Sequence, residues 1–360
     1  MTAVRTAAVI GAGAQGAVHA FGLARIPGLR IVAISDVDAD AAAALAAEHG
    51  ARAHSDPQSL FADQPIDLPI DLLSVCAPAV AHRAIVDTAL AHGVRAIHCE
   101  KPMALTYGDA RHLVEAAAAA GAVLTINHQR RFDRMHRAVR ELVRGGDIGE
   151  LIGAQGYCAN LFDWGSHTVD LLRWHLGDPR ATSVLAQIDV AARKRVYGAL
   201  TETSSIVEVR FDTGVDAVIT TGRDERLHPL GDNGIVLQGS RGRVEIFGGR
   251  ATVHADDREP REIAESVDPA FAVELRGVDP AVIEQTALAL ADLAGALDDG
   301  HEPVLHARHG LAAAEIIFAA YESSVRRGTV HLPLDVFDNA LQRGLEQGLW
   351  TPETEIVSTF

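Results

Sequence analysis

The sequence predicts an α/β domain built on a parallel sheet, followed by an α+β domain built on an open, largely antiparallel sheet. Three observations carry this. Over residues 1–125, short apolar runs alternate with helix-like amphipathic stretches. Over residues 183–254, apolar and polar residues alternate more strictly, with turn residues between the runs. The chain has 360 residues, too many for one small core and comfortable for two.

In the first region the apolar runs are Ala7–Ile10, Ile31–Ile34, Leu72–Val75, Ala96–Cys99 and Val123–Ile126. Between them lie expected helices at Gln15–Arg25, Ala39–Glu48, Ala81–Ala91 and Tyr107–Ala119. Such strands are buried on both faces, so their runs are continuous rather than alternating. In the second region a basic amphipathic helix is expected over 131–145, ending at Gly145-Gly146. A strand follows at Leu151–Cys158 and a helix at Trp164–Leu176. Ser205–Phe211, Val215–Thr220, Ile235–Gln238 and Val244–Phe247 then alternate as half-buried strands, before helices near 279–297 and 308–326. The divisions are 1–125, 126–334 and a tail over 335–360.

Composition excludes several classes. Apolar residues make up 48% and charged residues 22%, and the net charge is −16, which disfavours nucleic acid and anionic lipid as partners. No long uncharged apolar stretch suggests a membrane span. The opening MTAVRTAAVIGAG is expected to be strand and turn rather than a leader. Cys76, Cys99 and Cys158 form no CxxC pair, which suggests no disulfide framework and a reducing, cytoplasmic setting.

Gly11-Ala12-Gly13-Ala14-Gln15-Gly16 follows a strand and opens a helix. The first glycine permits the turn, the second lets backbone approach a pyrophosphate, and the third lets helix pack on strand. Free amides at the helix N-terminus then face the phosphates. Asp36, 20 residues after Gly16, ends the next strand and can accept both hydroxyls of an adenosine ribose. It would repel a 2′-phosphate, so the pattern predicts a Rossmann domain binding NAD in preference to NADP. FAD shares the fingerprint, but no second flavin motif is present.

Ligands of open parallel sheets bind at the carboxyl ends of strands. There stand Cys76-Ala77-Pro78 with His82, then Glu100-Lys101-Pro102, then Asn127-His128-Gln129-Arg130-Arg131. Small residues at Ala77 and Pro78 let backbone lie against the nicotinamide half of a cofactor. Lys101 can trade a proton with an alcohol. Downstream, Asp163 and His167 lie one helical turn apart, with Asp170 on the same stripe, so the aspartate can orient the histidine and the histidine can relay a proton. The plainer alternative is Asp163 as a helix N-cap. No metal is expected. Arg134, Arg137, Arg140 and Arg144 form a solvated helix face, and His301, His306 and His309 a solvated surface.

Together these residues resemble the glucose–fructose oxidoreductase/inositol dehydrogenase (Gfo/Idh/MocA-like) family. The resemblance rests on Gly11–Gly16, Ala77-Pro78 with His82, Glu100-Lys101-Pro102, Arg130-Arg131-Phe132, Asp163 with His167, and Tyr321-Glu322-Ser323-Ser324 through Gly328. It implies a catalytic group of Lys101, Asp163 and His167 and a cis peptide before Pro102. Cofactor contacts are expected at Gly11, Gly13, Ala14, Gln15, Gly16, Asp36, Ala77, Pro78, His82, Glu100 and Lys101. Substrate contacts are expected at Lys101, Asn127, Gln129, Arg131, Asp163, Trp164 and His167.

The implied activity is NAD-dependent hydride transfer to or from a secondary hydroxyl of a sugar, sugar derivative or cyclitol. Two alternatives stand beside it. One is an enzyme that retains NAD to cleave or epimerise glycosides by transient oxidation. The other is a non-catalytic sensor of cofactor or sugar. The resemblance also implies a homodimer or homotetramer formed through the open sheet. One departure is the missing glycine-rich segment: only Ala159 to Phe162 separate Cys158 from Asp163, which implies a more open pocket. The tail, with Trp350, is additional to the family's usual ending; it covers a pocket or a neighbour, or packs on the surface.

Overall fold

The computed structural model describes residues 5–62, 69–196, 199–222 and 233–358. Its elements begin with β1 (Arg5–Ile10), α1 (Ala14–Leu23), β2 (Leu29–Ser35), α2 (Ala39–His49), β3 (Arg52–His54) and α3 (Pro57–Ala62). Then come β4 (Leu72–Val75), α4 (Ala79–Ala91), β5 (Ala96–Cys99), α5 (Tyr107–Ala119) and β6 (Val123–Ile126). The six strands form one parallel sheet in the order β3-β2-β1-β4-β5-β6. That is the doubly wound order, with its reversal between β1 and β4, where such sheets take ligands. The continuous apolar runs are buried as expected: Ala7, Ala8 and Val9 have no exposed surface.

After a 3₁₀ turn at Gln129–Phe132 come α6 (Arg134–Arg144), β7 (Leu151–Cys158), α7 (Trp164–His175), β8 (Ala181–Asp189), β9 (Ala192–Val196) and β10 (Ala199–Thr201). There follow β11 (Ser204–Phe211), β12 (Asp216–Thr221), β13 (Gly234–Gly239), β14 (Gly242–Phe247), β15 (Arg250–Ala255) and β16 (Arg261–Ala264). The chain closes with α8 (Pro280–Asp299), α9 (Ala307–Arg326), β17 (Val330–His331), α10 (Ala340–Glu346) and β18 (Thr354–Ser358). Nine strands form a mostly antiparallel sheet, β16-β15-β14-β13-β7-β12-β11-β8-β17, whose β7–β12 pair is parallel. One face packs against α7 and α9, joining Val207, Val209 and Ile219 to Val169, Leu172, Ile316 and Phe318.

The compact units do not follow the linear division at residues 125 and 334. One unit comprises residues 1–104, 111–132 and 267–308, and the other comprises 105–110, 133–266 and 309–360. Strand-and-helix counting does not reveal the return of 267–308. Its cause is apolar matching: Leu290, Leu293 and Ala294 of α8 cluster with Ala17, Ala20 and Leu23 of α1. The tail belongs to the second unit. Trp350 Nε1 donates to the carbonyl of Ile188 at 3.2 Å, and β18 pairs parallel to β9.

Candidate active site

The glycine turn has the geometry its spacing predicts. Gly11 has φ +101°, and a Cβ there would lie 2.6 Å from the carbonyl oxygen of Cys76. A Cβ on Gly16 would lie 1.9 Å from the carbonyl of Gly11, so α1 closes on the turn only through glycine. Gly13 faces open space, and Gly13, Ala14 and Gln15 are exposed, which leaves room for a phosphate. No acidic side chain sits in the first turn of α1. Asp36 is half-buried beyond β2; its carboxylate accepts the amides of Ala12 at 2.5 Å and Asp38 at 2.9 Å. Beside it Val37 is 90% exposed, an apolar surface that sequence reading passed over. This set fits the adenosine and pyrophosphate of a dinucleotide.

Behind the ends of β4, β5 and β6 lies a buried polar cluster. His19, on α1, places Nδ1 2.6 Å from Ser74 Oγ and Nε2 2.9 Å from Glu100 Oε1. Asn127 Nδ2 donates to the same Oε1 at 2.8 Å. Glu100 Oε2 accepts the backbone N–H of Lys101 at 3.1 Å. Burial alone would push the Glu100 carboxyl up, but the bonds from His19 and Asn127 outweigh it and hold it at about 2. Burial likewise opposes a charge on His19, yet the Cys76 sulfur and Glu100 raise it to about 10. His98, whose ring centroid is 5.2 Å from that of His19, is pushed down to about 3, by burial first and by His19 second. Both shifts favour the ionised pair, and Glu100 anchors the backbone from which Lys101 projects.

Glu100, Asn127 and His82 were expected at the ligand, but their side chains bond inside the protein. His82 is wholly buried, with Nε2 2.8 Å from the carbonyl of Ala77 and Nδ1 3.2 Å from that of Met103. It ties the Ala77-Pro78 turn to the turn after Lys101. Gln129 and Arg131 are also buried, Arg131 among the largest side chains with almost no exposure. The adjoining Phe132 packs with Ala289 and Leu305, which explains why this 3₁₀ turn is held against α8. Ala77, Pro78 and Lys101 keep exposed surface, and the Lys101–Pro102 peptide is cis, as the resemblance implies.

Lys101 has a further mark. The chain holds 30 arginines and only two lysines, Lys101 and Lys194. Arginine does not release its proton in proteins, whereas lysine can. Of the two lysines, Lys101 follows the carboxyl end of β5.

In the second unit, Asp163 stands at the N-terminus of α7 but does not cap it; its side chain accepts no capping bond. The turn before it is tied by Asn160, whose Oδ1 accepts Asp163 N–H at 2.8 Å and whose carbonyl accepts Gly165 N–H at 2.7 Å. Asp163, His167 and Asp170 are all buried, and Trp164 is half-buried. The short segment from Ala159 is fixed by Glu202, which accepts Leu161 N–H at 2.6 Å. No sequence pattern pointed to Glu202. Of the basic helix face, Arg134, Arg137 and Arg144 are exposed as expected, whereas Arg140 lies over the Trp174 ring, 4.4 Å from its centroid. His301 is exposed between Asp292 and Asp299, while His306 and His309 are half-buried.

Comparison with known proteins supports the same picture. Residues 5–128 match the oxidoreductase family with an NAD-binding Rossmann fold, and residues 159–245 match the GFO/IDH/MocA C-terminal domain. Inositol 2-dehydrogenase of Burkholderia vietnamiensis is 30% identical over 63% of this chain and 72% of its own. D-apiose dehydrogenase of Paraburkholderia graminis is 26% identical over 90% of this chain and 89% of its own. The structure of a levoglucosan dehydrogenase in complex with NADH and levoglucosan shares the fold, with a TM-score of 0.75 at 18% identity. That alignment covers 92% of this chain and 100% of the other.

Proposed function

Because the chain belongs to the GFO/IDH/MocA family of NAD-binding oxidoreductases, we propose that it moves a hydride between NAD and a secondary hydroxyl of a sugar, sugar derivative or cyclitol. The single observation that carries the chemistry is Glu100-Lys101-Pro102 at the end of β5, its lysine backbone anchored by a buried carboxylate. The cofactor supplies the hydride acceptor at its nicotinamide. Gly13, Ala14 and Gln15 bind its phosphates, Asp36 its ribose hydroxyls, and Val37 offers the adenine an apolar surface. Lys101 stabilises the oxygen of the reacting hydroxyl as negative charge develops there. His167 takes the hydroxyl proton, and Asp163 orients His167. Lys101 belongs to one compact unit and the other two to the second, so their joint action rests on the sequence pattern.

The relatives named for inositol and apiose favour a sugar or polyol substrate. The test is a panel of sugars and cyclitols with NAD, read at the nicotinamide absorbance, with Lys101→Met beside the wild type. Reduction of NAD by at least one polyol, lost by about 10²-fold or more in the variant, is the expected result. Full activity in Lys101→Met removes the lysine's assigned role. Turnover without added NAD by protein that carries it through purification moves the assignment to retained-cofactor chemistry.

We also propose a homodimer or homotetramer in the cytoplasm. Ile152, Leu185, Ile206 and Val218 are exposed on β7, β8, β11 and β12, four neighbouring strands of the large sheet. Exposed apolar side chains on neighbouring strands favour burial against another copy. Ile206→Glu is expected to shift the mass measured by light scattering toward the monomer. The three cysteines are free thiols, as suits a reducing compartment.

A further inference from the structure

The segment that returns to the N-terminal unit brings with it an arginine that no dinucleotide fingerprint contains. Val278 N–H bonds to the carbonyl of Leu275 at 3.0 Å, closing a tight turn with Arg276 and Gly277 at its centre. Both central residues are left-handed, with φ +50° and +72°. Glycine takes that conformation freely, but arginine takes it at a cost, and asparagine or glycine is the usual occupant. The turn is fixed at both ends. Leu275 packs into the core shared by β1, α1 and α8, and Asp279 caps α8 by accepting Ala281 N–H at 2.9 Å. A strained residue held on a rigid base is where a functional role is worth seeking.

The side chain reaches the glycine turn. Arg276 Nη1 donates to the carbonyl of Ala12 at 2.6 Å and lies 3.3 Å from that of Gly13. Its other terminal nitrogen is 3.7 Å from Glu48, and the side chain is one-third exposed. Two consequences follow from elementary electrostatics. The carbonyls of Ala12 and Gly13 are engaged, which fixes the orientation of the peptides they belong to. A permanent positive charge also sits beside the N-terminus of α1, in a chain whose net charge is −16.

We propose that Arg276 is a cofactor-affinity residue, which locks the glycine turn and adds its charge to the field that holds the dinucleotide pyrophosphate. The proposal rests on the NAD reading above and goes beyond it, because residues 267–278 lie outside both family matches and outside the fingerprint.

The test is equilibrium binding rather than turnover. NADH is titrated by its fluorescence into wild type, Arg276→Ala and Arg276→Lys, with ADP and adenosine as competitors. Arg276→Ala is expected to weaken NADH and ADP by about tenfold, equivalent to one modest charge-assisted contact, and to leave adenosine within about twofold. Arg276→Lys, which keeps the charge but not the planar fork, is expected between the two. The wild-type affinity should also fall more steeply with salt than that of Arg276→Ala. Arg276→Ala binding NADH as well as wild type overturns the proposal, and so does an equal loss for adenosine and ADP. Wild type that binds no NADH overturns the cofactor reading instead. Melting curves accompany every titration; if Arg276→Ala melts early, Arg276→Lys decides, and wild-type affinity in it overturns the locking role.

Discussion

Glu202 Oε2 accepts the hydroxyl of Tyr321 at 2.9 Å, and neither side chain reaches solvent. The same carboxylate accepts Thr201 Oγ1 at 3.0 Å, Thr221 Oγ1 at 2.9 Å and the amide of Leu161. Four donors thus stand in for water around a buried charge, which otherwise would be costly. Burial first, and Glu202 second, push the Tyr321 hydroxyl far above its ordinary pKa, so it stays a donor at every working pH. The two residues join α9 to the segment that leads into Asp163.

Removing that hydroxyl leaves the carboxylate one donor short. Tyr321→Phe is therefore expected to lower the unfolding free energy by about 1.5–3 kcal/mol, the range for a bond to a charged group. Urea denaturation measures it, and a loss below about 0.5 kcal/mol would show that Glu202 finds another donor at no cost.

The tail is tested at Gly344. A Cβ there would lie 2.2 Å from Trp350 Cζ3, inside any permitted contact. Trp350 in turn donates to Ile188, and Arg343 bonds Glu322. Gly344→Ala should expel the indole, with a red-shifted tryptophan emission and a loss of about 1–3 kcal/mol, as overpacking costs elsewhere. An unchanged spectrum and unchanged stability would place the tail's anchor elsewhere.

How far the sequence foretold these features depends on the range of the forces involved. The parallel strands were legible because burial on both faces leaves continuous apolar runs; Leu72–Val75, Ala96–Cys99 and Val123–Ile126 match to the residue. The glycine turn was legible because its close contacts admit no side chain. β3 and α3 were not delimited, since three and six residues hold too little pattern to separate from loop. His19 sits on the apolar face of α1, where the plain expectation is a satisfied core residue. Its partner Glu100 is 81 residues away, and no local pattern encodes that pairing. Glu202 and Arg276 escaped notice for the same reason. Each acts through chain that only folding brings near.

Asp36 offers a direct test of cofactor choice. Its carboxylate accepts two backbone amides, so its position is set before any ligand arrives. Asp36→Asn removes the charge that would repel a 2′-phosphate while keeping the shape. NAD is expected to bind about tenfold more weakly, and the NADP-to-NAD ratio of kcat/KM to rise about tenfold. A variant with an unchanged ratio would move the discrimination to another residue.

The His19–Glu100 pair predicts a pH signature that a neutral core would lack. Glu100 falls from an ordinary 4.5 to about 2 on folding, so its contribution is full above 4.5 and is lost as pH drops toward 2. His19 rises from 6.5 to about 10, so its contribution is full below 6.5 and is lost as pH climbs toward 10. Both are complete only between about 4.5 and 6.5. The groups facing His19 are Glu100, Cys76 and His98; His98 stays neutral in the fold and works against stability only as pH falls below 6.5. Replacing the pair by His19→Leu with Glu100→Gln can be neutral in absolute stability, because buried ion pairs are costly to desolvate. The difference between wild type and this double variant is nonetheless expected to move in one direction, against the wild type, from pH 6 to pH 9.5. Urea denaturation at a few pH values across that range reads it, and a flat difference would mean that the pair is not ionised in the folded protein.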